Sequence, residues 1–137
     1  MRVWNIDSNR EVRAFGRVGG SVTSVAFLPD GRRMLAGTDD GGLRLWDSGN
    51  GDLLAELKGH TKIVTGVALL PGGRRAVSCS SDSTLRLWDL EEKRELCRAQ
   101  GRHQGIIYAV AVSPDGQHAI TSGADAKVIL WRLPDLP

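Results

Sequence analysis

The sequence predicts an all-β protein built from tandem repeats, and three observations carry this prediction. Its tryptophans, Trp4, Trp46, Trp88 and Trp131, follow one another at intervals of 42, 42 and 43 residues, a period typical of repeat proteins. The segments around them alternate apolar and polar side chains, as in LRLW at 43–46, which is the period-two signature of strands. Turns containing Pro, Asp and Gly separate these segments so closely that a helix is excluded.

The other landmarks of the repeat return with the same period. The turn sequences LPDG, LPGG and SPDG begin at Leu28, Leu70 and Ser113. The segment SSDSTLRLWD at 80–89 has counterparts in DGGLRLWD at 40–47 and ADAKVILWR at 124–132. With these motifs the chain resembles the WD-repeat family of β-propellers, whose units of about 40 to 45 residues each form one blade of four antiparallel strands. The resemblance covers nearly the whole chain.

Alternation and turn residues assign strands to each predicted blade. Strands are expected at 3–4 and 11–15; at 21–28, 33–37, 43–46 and 52–57; at 63–70, 75–80, 85–88 and 95–98; and at 106–112, 118–121 and 128–131. This predicts a single propeller segment over 1–137, in which 1–15 is a partial blade that holds only the third and fourth strands. Residues 16–57 and 58–98 form complete blades, 99–133 form a three-stranded blade, and 134–137 form a tail.

This strand count bears on how the ring of blades closes. Known propellers have 4 to 8 blades, so the three blades' worth of sequence found here is expected to close only by dimerisation or with further blades on a longer chain. The strand at 11–15 is expected to pair with the strand at 128–131, either of another copy or within one closed ring. The mid-repeat start and an atypical first repeat favour the longer chain over a six-bladed homodimer.

One set of polar residues has the ingredients of a hydrolase triad. His60, Ser78, Asp82 and Trp88 are matched, at the same spacing, by a second set that consists of His103, Thr121, Asp125 and Trp131. A catalytic site would be needed once, and the resemblance implies that each set is a structural relay from the indole N–H through the hydroxyl and imidazole to the carboxylate. The sequence therefore predicts that the protein is not an enzyme.

The first full repeat departs from this pattern. Val18 and Ala36 stand where the relay histidine and hydroxyl are expected, although Asp40 and Trp46 remain. This blade is therefore expected to be the least stable. The arginines two positions before the tryptophans, Arg44 and Arg86, are expected to point away from the core and to form salt bridges on the blade surface.

The resemblance implies that a partner binds around the mouth of the central channel, through three positions in each blade. These lie three and five residues after the relay histidine and one before the turn aspartate. They are Ser21, Thr23 and Asp39 in the first blade, Ile63, Thr65 and Ser81 in the second, and Ile106, Tyr108 and Ala124 in the third. The only tyrosine, Tyr108, is the best single candidate because this residue type often anchors interfaces.

The leading functional hypothesis is therefore a non-catalytic scaffold that binds a protein or peptide partner. The alternatives are a sensor or regulatory propeller attached to an enzyme, or a small-ligand or enzymatic propeller with a site at the channel mouth. An acidic, His or Cys residue present in a single blade would favour them, and Asp39 alone meets that criterion.

Composition narrows the partners and the setting. The net charge is only +2 and the nine channel-mouth positions hold no Lys or Arg, which argues against nucleic acid. The sequence shows no apolar run typical of a membrane span or a signal peptide, and no spacing that predicts a metal or another cofactor. Cys79 and Cys97 are expected on strands about 9 to 10 Å apart, too far for a disulfide. Reduced thiols suit a cytoplasmic location.

Overall fold

The computed structural model describes residues 1–16 and 19–136, so Val18 and the last residue of the predicted tail lie outside the described residues. The described part of the chain consists of strands, turns and loops, and no helix in it could cross a membrane. The strands are β1 (Arg2–Asn5), β2 (Arg10–Ala14), β3 (Val22–Phe27), β4 (Arg33–Thr38), β5 (Gly42–Asp47), β6 (Leu53–Lys58), β7 (Val64–Leu69), β8 (Arg75–Ser80), β9 (Leu85–Asp89), β10 (Arg94–Ala99), β11 (Ile107–Val112), β12 (His118–Gly123) and β13 (Val128–Arg132).

These strands form four antiparallel sheets in which neighbours in sequence are neighbours in space. The sheets are β1-β2 (the partial blade), β3-β4-β5-β6 (the first blade), β7-β8-β9-β10 (the second blade) and β11-β12-β13 (the third blade). The prediction of an all-β fold of antiparallel propeller blades is confirmed, and the ring is not closed. The expected pairing of 11–15 with 128–131 is not made within one chain, because β2 pairs with β1 instead, with Trp4 opposite Glu11.

Two apolar clusters hold neighbouring blades together, and both use the same repeat positions. Between the first and second blades, aliphatic side chains such as Leu35 and Leu45 pack against Trp88. Between the second and third blades, Val77, Leu85 and Leu87 pack against Ile107, Ala119 and Trp131. Each blade therefore presents aliphatic residues of its second and third strands to the next blade and its tryptophan to the preceding one. Burying these side chains contributes roughly 1.5–3 kcal/mol for each large aliphatic residue.

A third apolar cluster seats the partial blade on the first blade. Phe15 packs edge-on against Trp46, with ring centroids 5.8 Å apart, and Met34 completes the buried group. Met1 and Val3 of the partial blade lie against this cluster. The partial blade thus covers the part of the first blade that contains its tryptophan.

The turns between the first two strands of each blade also interlock. Gly73 lies so close to the ring of Pro29 that a Cβ added there would be 2.5 Å from its Cδ, and Gly116 meets Pro71 in the same way. Both glycines have positive φ, at 70° and 71°, a conformation that glycine adopts without a steric penalty. Each turn proline thus rests on the turn glycine of the next blade, which fixes the spacing between neighbouring blades.

Candidate functional site

The second blade brings the four predicted relay residues together in one chain of hydrogen bonds. The Trp88 indole donates to Ser78 Oγ at 2.8 Å, and Ser78 Oγ lies 2.7 Å from His60 Nε2. His60 Nδ1 lies 2.9 Å from Asp82 Oδ2. An indole N–H can only donate and a carboxylate can only accept, so Ser78 accepts from Trp88 and Nδ1–H donates to Asp82. Nε2 of the neutral imidazole then accepts from the Ser78 hydroxyl.

The third blade repeats this geometry with Thr121 as the hydroxyl. The Trp131 indole donates to Thr121 Oγ1 at 2.8 Å, and His103 Nε2 lies 2.8 Å from the same oxygen. His103 Nδ1 lies 3.0 Å from Asp125 Oδ1. The relays place buried polar groups of strands, loop and turn within hydrogen-bonding reach of one another, as buried polar groups require.

The environment of the second-blade relay keeps the carboxylate charged and the imidazole neutral. Burial raises the pKa of Asp82, but hydrogen bonds from Thr84, the Thr61 amide and His60 outweigh it and lower that pKa to about 2. Burial lowers the pKa of His60, and the hydrogen bond to Asp82 only partly opposes this. Ser78 is fully buried between Trp88 and His60. A hydroxyl enclosed in this way has no approach for a substrate, which separates this arrangement from a nucleophilic triad.

The first blade, which has Ala36 at the hydroxyl position, uses its turn aspartate differently. Arg44 makes a bidentate contact with Asp40, from Nη2 to Oδ2 at 2.7 Å and from Nη1 to Oδ1 at 3.2 Å. Its Nη1 also donates to Thr38 Oγ1 at 2.6 Å. Its Nη2 reaches Glu56 Oε1 at 2.7 Å. The Arg44 guanidinium holds the pKa of Asp40 well below its usual range. A charged network therefore occupies part of the place of the relay in this blade, although Val18 itself lies outside the described residues.

The channel-mouth positions separate into two groups. The positions three after the histidine and one before the aspartate are adjacent, because a backbone N–H of the second donates to the carbonyl of the first. These pairs are Ser21 with Asp39, Ile63 with Ser81, and Ile106 with Ala124. The three pairs occupy equivalent places at the same end of their blades. The side chains of Ile63 and Ile106 are exposed there.

The remaining position, five residues after the relay histidine, is a threonine in the first and second blades, and this threonine contacts the neighbouring blade. Thr23 Oγ1 donates to the Val64 carbonyl of the second blade, and Thr65 Oγ1 donates to the Ile107 carbonyl of the third. Their hydroxyls are thus used in holding blades together. Tyr108 occupies the equivalent position of the third blade and is 57% exposed.

Comparison with known proteins accords with this repeated geometry. The family model "WD domain, G-beta repeat" matches residues 10–47, 51–89 and 95–132. The chain belongs to the WD40 repeat family. Each match begins at or near the outermost strand of one blade and ends with the third strand of the next blade.

Individual WD40 relatives match shorter segments. Human WD repeat-containing protein 38 is 46% identical over 50 residues, which is 36% of this chain and 16% of that protein. The guanine nucleotide-binding protein subunit beta of Oryza sativa subsp. indica is 42% identical over 55 residues, 39% of this chain and 14% of that protein. Human WD repeat-containing protein 86 is 40% identical over 45 residues, 33% and 12%. The matched part of this chain therefore spans less than a fifth of each of these relatives.

The prediction that the arginines of the WD40 repeats lie on the blade surface is wrong. Arg44 and Arg86 are each 5% exposed. Their guanidinium groups lie against a carboxylate of the fourth strand, Glu56 for Arg44 and Glu95 for Arg86, at 2.7 and 2.6 Å. Strand alternation does turn these side chains away from the apolar cluster, but the fourth strand and the preceding turn enclose them. They are salt-bridged, as expected, but buried.

The lowered pKa of His60 in the relay predicts that the free energy of unfolding falls on acidification. Because the folded-state pKa of His60 is lowered from its ordinary value of about 6.5, the unfolded chain takes up this proton first as the pH drops. The stabilisation is therefore complete above about pH 6.5 and is lost as the pH falls towards the folded-state value. Urea unfolding at pH 7.5 and 5.5 should show a smaller loss for His60→Gln than for the wild type. His118→Gln, outside the relay, is the control, and equal losses in all three proteins would contradict the prediction.

Proposed function

We propose that this chain is a non-catalytic part of a protein-interaction scaffold and binds a protein or peptide partner at the channel mouth. Members of the WD40 family generally act as protein-interaction scaffolds. The observation that carries the proposal is that the hydroxyls and histidines which resemble a catalytic site are hydrogen-bonded to one another inside the blades. Ser78 and Thr121 are buried and engaged by a tryptophan and a histidine, so the residues left to contact a partner are exposed side chains on the scaffold.

In the second and third blades the channel mouth offers an uncharged, partly apolar surface for such a partner. Ile63 and Ile106 expose their side chains on adjacent blades, and Ser81 and Ala124 lie beside them. A peptide fits this surface if its apolar side chains contact the isoleucines and its polar groups contact the polar atoms beside them. Nucleic acid fits less well, because its binding requires clustered positive charge on the protein surface. We further propose that the protein works in the cytoplasm, since its two cysteines, Cys79 and Cys97, are free thiols.

The alternative of a sensor, regulatory or enzymatic propeller with its own channel-mouth site gains no support from Asp39. Its Oδ1 accepts the Ser21 amide at 2.7 Å, which is a local turn contact. Among residues 1–16 and 19–136 no cluster of His, Cys, Asp and Glu is arranged to hold a metal ion. The neighbouring carboxylate, Asp40, is paired with Arg44, and the single exposed carboxylate that remains does not make a catalytic site.

A peptide-display selection on the purified chain tests the proposed surface. Peptides that bind should lose at least about tenfold in affinity, equivalent to about 1.4 kcal/mol, when Ile63→Asp or Ile106→Asp places a charge at the mouth. Leu54→Asp, on the exposed outer strand β6, is the matched control and should leave affinity unchanged. If the peptides bind both the Ile63→Asp and the Ile106→Asp variants with unchanged affinity, their site lies elsewhere and the proposal is contradicted.

A further inference from the structure

The open face of the third blade is made of the residue positions that are buried elsewhere in the molecule. In the second blade Val77, Leu85 and Leu87 are at most 5% exposed, because the third blade covers them. Their counterparts in the third blade are all exposed, and they are Ile120, Val128 and Leu130. Val128 and Leu130 are each 68% exposed. The open face is thus equivalent to a blade interface that the chain already makes twice.

The opposite end of the chain presents the complementary half of the same interface, but only in part. Val25 and Phe27 of the first blade are each 58% exposed, although their counterparts in the second blade, Val67 and Leu69, pack against the first blade. Between them and strand β1 lies a cavity of about 270 Å³. Strand β1 covers the rest of this side of the first blade through Met1 and Val3.

Strands β1 and β13 hold the same position in the repeat. Val3 and Met1 stand one and three residues before Trp4, and Leu130 and Val128 stand one and three residues before Trp131. The first pair packs on the cluster of Phe15, Met34 and Trp46, while the second pair is exposed. Strand β13 therefore presents aliphatic side chains at the two positions through which β1 contacts the first blade, with Leu130 in place of Val3 and Val128 in place of Met1.

We propose that β13 of a second copy displaces β1 from β2, so that two copies close a six-bladed ring. Each third blade then gains β2 of the other copy as its fourth strand, and its β11 and β12 fill the cavity over Val25 and Phe27. Two identical exchanges about a twofold axis leave no open face, and six blades lie within the range of known propellers.

The other contacts between neighbouring blades have the residues they need in this arrangement. Pro114 of one copy would rest on Gly31 of the other, as Pro29 rests on Gly73. In the single chain no described residue lies within 4 Å of a Cβ built at Gly31. Tyr108 would face the carbonyl of Val22, as Thr23 and Thr65 face theirs. The open face of the third blade and the open side of the first blade thus match each other at several separate positions, and this complementarity within one sequence favours a second copy as the occupant.

Displacing β1 removes its ladder with β2 and the packing of Met1 and Val3, contacts that β13 of the second copy would replace. Strand β1 has four residues, and among the described strands it pairs with β2 alone. Its salt bridge from Arg2 to Glu11 is largely exposed, with 63% and 32% of the two side chains accessible, and such pairs contribute little to stability. Phe15, by contrast, is buried against Trp46, so β2 stays on the first blade and can receive the new strand.

Light scattering of the purified 137-residue chain over a range of concentrations tests the exchange. We expect a single two-chain species whose dissociation constant rises at least about 100-fold in Leu130→Glu, because the change puts a charge into both interfaces. Ile6→Glu, at an exposed site outside the interface, should leave the constant unchanged. In Val3→Asn, which loosens only the strand to be displaced, the constant should fall about tenfold.

Cysteine cross-linking tests the register of the exchanged strand, in chains that also carry Cys97→Ala. Because Arg2 lies opposite Ala14, Ile129 of a second copy would take that place, within the distance of a disulfide. Mixing the single variants Ala14→Cys and Ile129→Cys should give a disulfide-linked pair, whereas Ala14→Cys with Leu53→Cys should not. A monomer at all concentrations, polydisperse aggregates insensitive to Leu130→Glu, or a dimer without the selective cross-link would each overturn the proposal.

Discussion

Trp88→Ala is expected to lower the free energy of unfolding by about 3 to 5 kcal/mol, the largest effect of any single substitution proposed for this chain. Trp88 is 1% exposed and belongs to the apolar cluster between the first and second blades. Its removal leaves a cavity and also takes away the indole that donates to Ser78. Ser78 keeps its hydrogen bond to His60, but the loss of the indole donor in a buried site adds to the cost of the lost packing.

Trp4→Ala is the matched control, because Trp4 holds the same repeat position in the partial blade. It is 51% exposed, so its removal should cost less than about 1 kcal/mol. Urea denaturation of both variants and the wild type, monitored by circular dichroism, measures the difference. If the two substitutions cost the same, the buried relay is not what stabilises the second blade.

Arg86→Met is expected to cost about 2 to 4 kcal/mol, because it removes one partner from a buried group of charges. The guanidinium contacts Glu95 at 2.6 Å and lies 3.9 Å from Asp82, whose side chain is 5% exposed. Methionine keeps much of the side-chain volume, so the loss reports mainly the uncompensated carboxylates and not a cavity.

Arg74→Met provides the comparison for this substitution. Arg74 also pairs with a carboxylate, that of Asp89 at 3.0 Å, but 47% of its side chain is exposed. The Asp89 side chain is itself buried, but the backbone amides of Glu91 and Glu92 still donate to it, so removing the solvent-exposed arginine should cost about 0 to 1 kcal/mol. A loss for Arg86→Met as small as that for Arg74→Met, in the same urea experiment, would mean that water reaches the Arg86 network.

The fold could be predicted from the sequence because the determinants of a repeat protein are local and recur. The intervals between tryptophans, the alternation in the strands and the turn residues each carry the same information several times over. The residues of both relays could be named for a related reason. An indole, a hydroxyl, an imidazole and a carboxylate recur at one spacing, and buried groups of these types must find partners.

Contacts between one blade and the next were harder to predict. Strand alternation places Arg44 away from the apolar cluster, but the enclosure by Glu56 depends on how the fourth strand crosses it. The roles of Thr23 and Thr65 depend likewise on a carbonyl about 40 residues away in sequence. The pairing of Asp40 with Arg44 had a signal in the sequence. Val18 and Ala36 replace the relay histidine and hydroxyl, and the arginine four residues after the aspartate can then neutralise its charge.

The stacked prolines and glycines of the turns have a consequence for where this chain tolerates changes in length. The interval from the turn proline to the tryptophan is 17 residues in all three repeats, because neighbouring blades contact both residues. The one extra residue of the third repeat falls instead between Trp88 and His103, which are 15 positions apart, whereas Trp46 and His60 are 14 positions apart. That segment contains the outermost strand and the loop after it, both largely exposed. Insertions and fused peptides therefore belong in these outer loops, where no neighbouring blade sets the spacing.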